Sequence, residues 1–199
     1  MNPTFEVAHG PLVAGVLAYL PAALAEVGAL KGNRGWKPAG WATAALLHAW
    51  AVPAAALAPS AWLPGNLAKA VGSMLAAVAA ILLVWSFALE IPFASSWTRS
   101  APGHRLVTTG TYALVRHPGV LWYALVLLGL LLATGSGTLL VGAPLWIAID
   151  VVYVAWEESV VFPSQFPDYA RYRNTTPMLV PTPASLGRAI RTLGRRDCP

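Results

Sequence analysis

Two stretches of this chain hold the residue types that could do chemistry. The first runs from His104 to Pro118 and reads HRLVTTGTYALVRHP. It gathers two imidazoles, His104 and His117, two guanidiniums, Arg105 and Arg116, and the phenol of Tyr112. Pro118 then suits the first turn of a helix. A helix start leaves backbone N–H groups unpaired and favours acceptors or anions there. Tyr112 and the nearby Trp97 add aromatic faces that attract a flat ring or a cation. The second stretch ends a long apolar run with Glu157 and Glu158, preceded by Asp150. Positions 150, 154 and 157 fall on one helix face. An aspartate within an apolar span is costly and tends to face a cavity or a partner. Beyond it lie Tyr169, Arg171, Tyr172 and Arg173, in a segment that is polar yet rich in aromatics.

The elements that must position these groups are membrane helices. Hydrophobic residues make up 57% of the 199 and charged residues only 11%, against about 25% in a soluble domain. One domain has no interior large enough for that surplus, so lipid must solvate its outside. Spans of about 20 apolar residues are expected at Pro11–Leu30, Gly40–Ala58, Ala70–Ile91, Pro118–Ala133 and Thr138–Trp156. The turn Thr134–Gly137 makes the last two a tight hairpin. Pro21, Pro53 and Pro144 fall inside spans, where neighbouring groups in a membrane bundle can satisfy the freed carbonyl. Of the 13 lysines and arginines, all but Lys69 fall in the first loop, in the third loop or after the last span. By the positive-inside rule the N-terminus is outside and the C-terminus cytoplasmic. The expected fold is therefore all-α, an integral membrane bundle of about five transmembrane helices with a cytoplasmic cofactor-binding loop and a C-terminal tail. Within the single domain 1–199, residues 1–91 hold the first three spans, 92–181 the cofactor-binding and catalytic part, and 182–199 a basic tail. The expected location is the plasma membrane of a bacterium.

Composition also excludes classes. The net charge of +5 lies at span ends and not along a nucleic-acid-binding face, so no nucleic acid partner is expected. The one cysteine, Cys198, allows no intramolecular disulfide. No His/Cys/Asp cluster has metal-ligand spacing. Isolated polar residues in other spans, Glu26, His48 and Glu90, read as helix–helix contacts or interfacial groups. The run Arg188–Arg196 reads as a tail drawn to anionic lipid.

The string HRLVTTGTYALVRHP, then a hydrophobic hairpin, then Glu157-Glu158, then DYARYRNTTPMLVP resembles the isoprenylcysteine carboxyl methyltransferase family and its phospholipid-methyltransferase relatives. The resemblance spans Trp97 to Pro181, with its parts in order and on one side of the membrane. Val120 stands where the family has a tyrosine, and Gln165-Phe166 where it has Phe-Gly. Carboxyl-methylating members also carry an arginine one turn before the glutamates, whereas Val151–Trp156 holds no cation.

The resemblance implies S-adenosyl-L-methionine as cofactor and methyl transfer to a lipophilic or membrane-delivered acceptor at the cytoplasmic face. The implied cofactor contacts are Trp97, His104, Arg105, Leu106, Val107, Tyr112, His117, Pro118, Gly119 and Val120. Glu157, Glu158 and Arg116 are the catalytic candidates. Asp150, Tyr153, Arg171 and Arg173 are the candidates for holding the acceptor. Tyr169, Arg171 and Tyr172 are expected in a lid. An NADPH-dependent membrane reductase of the sterol or steroid type is the rival enzyme class, and a membrane scaffold or channel the rival without catalysis.

Overall fold

The computed structural model describes residues 6–91 and 106–194. Among the described residues all regular structure is helical, apart from one bridge between Ser60 and Ser136. Helices α1 (His9–Leu17) and α2 (Tyr19–Leu30) form one apolar segment interrupted at Ala18. Pro21 explains the break, because its ring clashes with the carbonyl four residues earlier, on Leu17, and it brings no N–H. Helix α3 spans Lys37–Ala56 and α4 spans Asn66–Trp85, continuing as a π-helical turn over Ser86–Glu90. A short α5 (Thr111–Leu114) precedes α6 (Pro118–Thr134). Helix α7 (Gly137–Trp156) passes through a second π turn, Glu157–Val161, into α8 (Phe162–Gln165). Helices α9 (Tyr169–Thr175) and α10 (Pro183–Thr192) complete the described chain.

Three helical segments are long and apolar enough to cross a membrane: His9–Leu30, Asn66–Glu90 and Gly137–Gln165. Helix α6 is apolar but shorter. The outer face of α4 shows why water cannot be the neighbour. Leu67, Val71, Met74, Val78 and Ile81 recur every three or four residues and are all exposed, a continuous apolar stripe. These features mark a membrane protein.

Inside the bundle, small residues set the spacing. A Cβ on Gly72 of α4 would fall 2.6 Å from the Gly129 carbonyl oxygen of α6, and one on Gly129 would fall 2.5 Å from the Ala76 nitrogen. Glycine at both positions lets the two backbones touch, as packing within lipid favours. Against this pair stands a core of Ala51, Ala55, Leu127, Leu139 and Trp146, all fully buried. The Trp146 indole lies against Gly15 and donates to the Leu12 carbonyl at 3.2 Å. The α6–α7 hairpin closes as the sequence predicts. Gly135 takes a left-handed φ of 66° at the end of α6, and Ser136 caps α7 by accepting from the Leu139 amide.

Two features differ from the sequence expectation. The last apolar helix does not end at Trp156 but runs on to Gln165 through the π turn, so Glu157 and Glu158 are buried within it. The basic tail begins as a true helix, α10, started by a reciprocal Thr182–Ser185 capping box. Its Ala189 packs on Ala113, Leu114 and Val115, and its Thr192 hydroxyl accepts the Gly110 amide at 3.0 Å.

Candidate functional site

Arg116 is the joint between the two chemistry-bearing stretches. Its Nε and Nη2 donate to the two oxygens of Glu158 at 2.7 and 2.9 Å, and its Nη1 donates to the carbonyls of Arg173 and Thr176. His117 Nε2 adds a third contact to Glu158, at 2.8 Å. The backbone is fastened as well, since the amides of Arg116 and His117 donate to the carbonyls of Pro177 and Met178. A bidentate arginine–carboxylate pair is both strong and directional. It ties the start of α6, the π turn of α7 and the segment after α9 into one unit. Burial opposes the charge on Arg116, but the bonds to Glu158 outweigh it and push its pKa further up.

A second joint was not foreseen from the sequence. Glu90, at the end of the α4 π turn, accepts from the Thr111 amide and hydroxyl and from the Trp85 indole. The Ser86 hydroxyl bonds Thr111 and accepts from Trp122. Gly110 sits against Glu90 with a φ of 59°, the left-handed region that glycine enters without cost. The carboxylate thus holds the first residues of α5 and orients Tyr112. From the other side, the Tyr172 hydroxyl donates to the Tyr112 carbonyl at 2.6 Å. Burial, with Glu90 and Glu157 nearby, pushes the Tyr112 phenol up, so the ring stays neutral. Burial does the same to Tyr172.

Between these joints opens one cavity of about 1000 Å³. At one end it is bordered by Leu106, Val107, Tyr112, Arg116 and the turn His117–Val120. The opening amides of α6 belong to Gly119 and Val120 and have no partner within the helix. Gly119 lets the helix start lie close against Phe87, since a Cβ would fall 2.6 Å from the tip of that ring and displace it. Phe162, Phe166 and Tyr169 supply aromatic walls, with Phe162 stacked on His117 at 5.8 Å. Further along, Glu157, Tyr153 and Asp150 border the same space from α7.

Comparison of the chain with protein-family models, curated proteins and solved structures gives no match. The site is therefore read from its own geometry.

Most of the residues singled out in the sequence meet at this cavity: Leu106, Val107, Tyr112, Arg116, His117, Pro118, Gly119, Val120, Asp150, Tyr153 and Glu157, together with Tyr169 and Tyr172 of the expected lid. Glu158 is absent from the lining. Its neighbour Glu157 turns to the cavity while Glu158 turns to Arg116, as a rotation of about 100° per helical residue requires. Arg173 is exposed; its carbonyl accepts from Arg116, and its Nε makes only a long, solvent-screened pair with Glu158 at 3.9 Å. Arg171 is exposed and does not border the cavity. Trp97, His104 and Arg105 lie outside the described residues.

The N-terminal helices supply wall residues that the sequence reading did not place at a site. Glu26, 2% exposed, pairs with Lys37 at 2.9 Å and accepts from the Trp41 indole at 3.0 Å, and all three border the cavity. The cation that the last helix lacks is thus present on α3, already neutralised. Tyr19, His48 and Tyr123 border the cavity deeper in the bundle. The available signal was polar residues recurring inside apolar runs, which gives their presence but not their common direction.

Proposed function

We propose that this chain is an integral membrane methyltransferase that moves a methyl group from S-adenosylmethionine to a nucleophile on a lipophilic acceptor at the cytoplasmic membrane face. The observation that carries the reading is the continuity of one cavity. It joins a polar, aromatic end at Tyr112 and the start of α6 to an end walled by membrane-helix residues such as Tyr153 and Asp150. A water-soluble cofactor and a lipid-soluble acceptor need such a two-ended space.

The polar end fits the cofactor's parts. The amides of Gly119 and Val120 and the His117 ring suit a carboxylate or ribose hydroxyls. Phe162, Phe166 and Tyr169 suit an adenine or a sulfonium. Bound S-adenosylmethionine would supply an activated methyl, its carbon–sulfur bond breaking as the new bond to the acceptor forms. The protein's part is positioning and exclusion of water. Glu157, which borders the cavity, accepts the proton that a neutral nucleophile such as an amine, thiol or phenol gives up. Arg116, at the cavity's edge, and Glu158, outside its lining, position the start of α6. The resemblance of the Trp97–Pro181 region to the isoprenylcysteine carboxyl methyltransferase family points the same way.

The same reading has five helical segments cross the bilayer, α3 and α6 included, with the N-terminus outside and the C-terminus in the cytoplasm of a bacterium. Lys37 and Arg116, from two different connections, border the same cavity, and Arg173 of the tail bonds Arg116. This gathers the basic loops at one end of the bundle.

The test uses purified protein in detergent. S-adenosylhomocysteine is expected to raise the melting temperature, and labelled S-adenosylmethionine to pass its methyl to components of a membrane lipid extract. Stabilisation by NADPH, with none by S-adenosylhomocysteine, would overturn the reading in favour of a reductase.

A further inference from the structure

Buried polar atoms in proteins are paired with few exceptions, and each exception calls for a reason. Among the described residues, the buried side-chain atoms without a partner in hydrogen-bonding geometry are Glu26 Oε2, His48 Nε2 and the hydroxyls of Tyr123, Tyr153 and Tyr169. All five residues border the cavity between the two joints. Tyr169 stands at its cytoplasmic end and Glu26 and Tyr153 near Lys37 and Glu157. His48 and Tyr123 form a separate, deeper group. His48 is eleven residues along α3 from Lys37, roughly 16 Å at the rise of a helix.

The deep group has a defined hydrogen-bonding sense. His48 Nδ1 lies 3.1 Å from the Ala44 carbonyl oxygen. A carbonyl can only accept, so Nδ1 carries the ring proton. A charged imidazole at this depth is costly, and the neutral ring then presents a bare lone pair at Nε2. The ring is held edge-on by Tyr19, centroids 5.0 Å apart at 85°, and by Tyr123, 5.5 Å apart at 88°. Tyr19 spends its only hydroxyl proton on the Trp146 carbonyl at 3.1 Å, so it cannot donate to the neighbouring Tyr123 hydroxyl, which has no partner in hydrogen-bonding geometry. One acceptor, His48 Nε2, and one group able to donate, Tyr123, therefore stand on adjoining rings. A single hydroxyl group satisfies both, donating to the first and accepting from the second. A plain hydrocarbon tail satisfies neither.

We propose that this deeper arm of the cavity recognises a hydroxyl group on a lipophilic ligand. Resting on the methyl-transfer reading, the acceptor is then a molecule with two polar ends. Its nucleophile lies at Glu157, and an alcohol or phenol hydroxyl binds His48 and Tyr123 farther in. The separation follows α7, on which Asp150 borders the cavity two turns before Glu157, about 10 Å along the helix.

The experiment compares 4-butylphenol with 4-butylanisole, which differ by one methyl group on oxygen that removes the donor. Binding to the full chain in detergent is measured by calorimetry, corrected for partition into micelles. The phenol is expected to bind at least tenfold more tightly. In His48→Phe the preference should fall below twofold, in Tyr123→Phe both probes should bind more weakly with the preference kept, and in His48→Gln, which keeps an acceptor, the preference should largely survive. Melting temperatures show that each variant is folded. Equal binding of the two probes by the unaltered chain, a preference that persists in His48→Phe, or unchanged binding of both probes in Tyr123→Phe overturns the proposal. S-adenosylhomocysteine is titrated into the same samples. Its binding without phenol preference leaves the methyltransferase reading standing and removes the hydroxyl site; phenol preference without its binding does the reverse.

Discussion

At the end of the cavity beside α5, Arg116, Glu158 and His117 Nε2 spend their hydrogen bonds on one another and on the carbonyls of Arg173 and Thr176. Toward the membrane interior, His48, Tyr123 and Tyr153 spend few or none of theirs. Both regions line one space, and both hold groups that a sequence reader would mark as reactive. The difference is between groups that build the wall and groups that face an occupant. Glu157 and Glu158 draw that line between adjacent residues: one borders the cavity, the other closes an ion pair.

The widest test of this division is Glu158→Ala. Its side chain is 5% exposed and that of Arg116 9%. Removing one member of a buried pair leaves the other uncompensated, at a cost of about 3–5 kcal/mol. The melting temperature in detergent should fall steeply, and Arg116→Ala should reproduce the fall. A variant at either position that melts like the parent would move the pair from the wall to the occupant side.

Glu157→Gln is expected to do the opposite. The replacement keeps the shape and removes the base, so turnover should drop by roughly 100-fold, the low end for general acid–base catalysis, while the melting temperature stays close to the parent's. A loss of stability equal to that of Glu158→Ala would erase the distinction between the two glutamates.

Glu90→Gln should have the smallest effect. It weakens charge-assisted bonds to the Thr111 amide and hydroxyl, a loss of about 1–2 kcal/mol. The loss should appear as weaker S-adenosylhomocysteine binding through Tyr112, with much less effect on a ligand at His48. Equal weakening at both ends would mean that Glu90 supports the whole bundle.

The apolar runs carried the helical architecture legibly, because a membrane helix is a matter of length and composition. Pro118 at a helix start and Gly135 at a helix end follow from their own backbone chemistry. The π turns were not legible, since hydrophobic period does not report an extra residue per turn, and they carry Glu90, Glu157 and Glu158. The partners of isolated polar residues were equally hidden. Glu90 meets Thr111 across 21 residues of chain, and nothing in a run such as SFALEIP states that. At the site, the stretch His104–Pro118 and the pair Glu157-Glu158 were visible as a motif. The contributions of Glu26, Lys37, His48 and Tyr123 were not, because a lone polar residue in an apolar helix does not reveal which way it faces.

The Glu26–Lys37 pair bears on how the chain enters its membrane. The two residues are eleven apart, at the facing ends of α2 and α3, and bond at 2.9 Å. Nothing from the second half of the chain is needed to bring them together. As synthesis proceeds, the pair closes when the first helical hairpin forms, and the carboxylate enters lipid already matched by a cation. The Arg116–Glu158 bond has to wait while α6 and α7 are made and folded back. One wall of the cavity is thus neutral from birth, and the other becomes so only once α7 has been made and folded back.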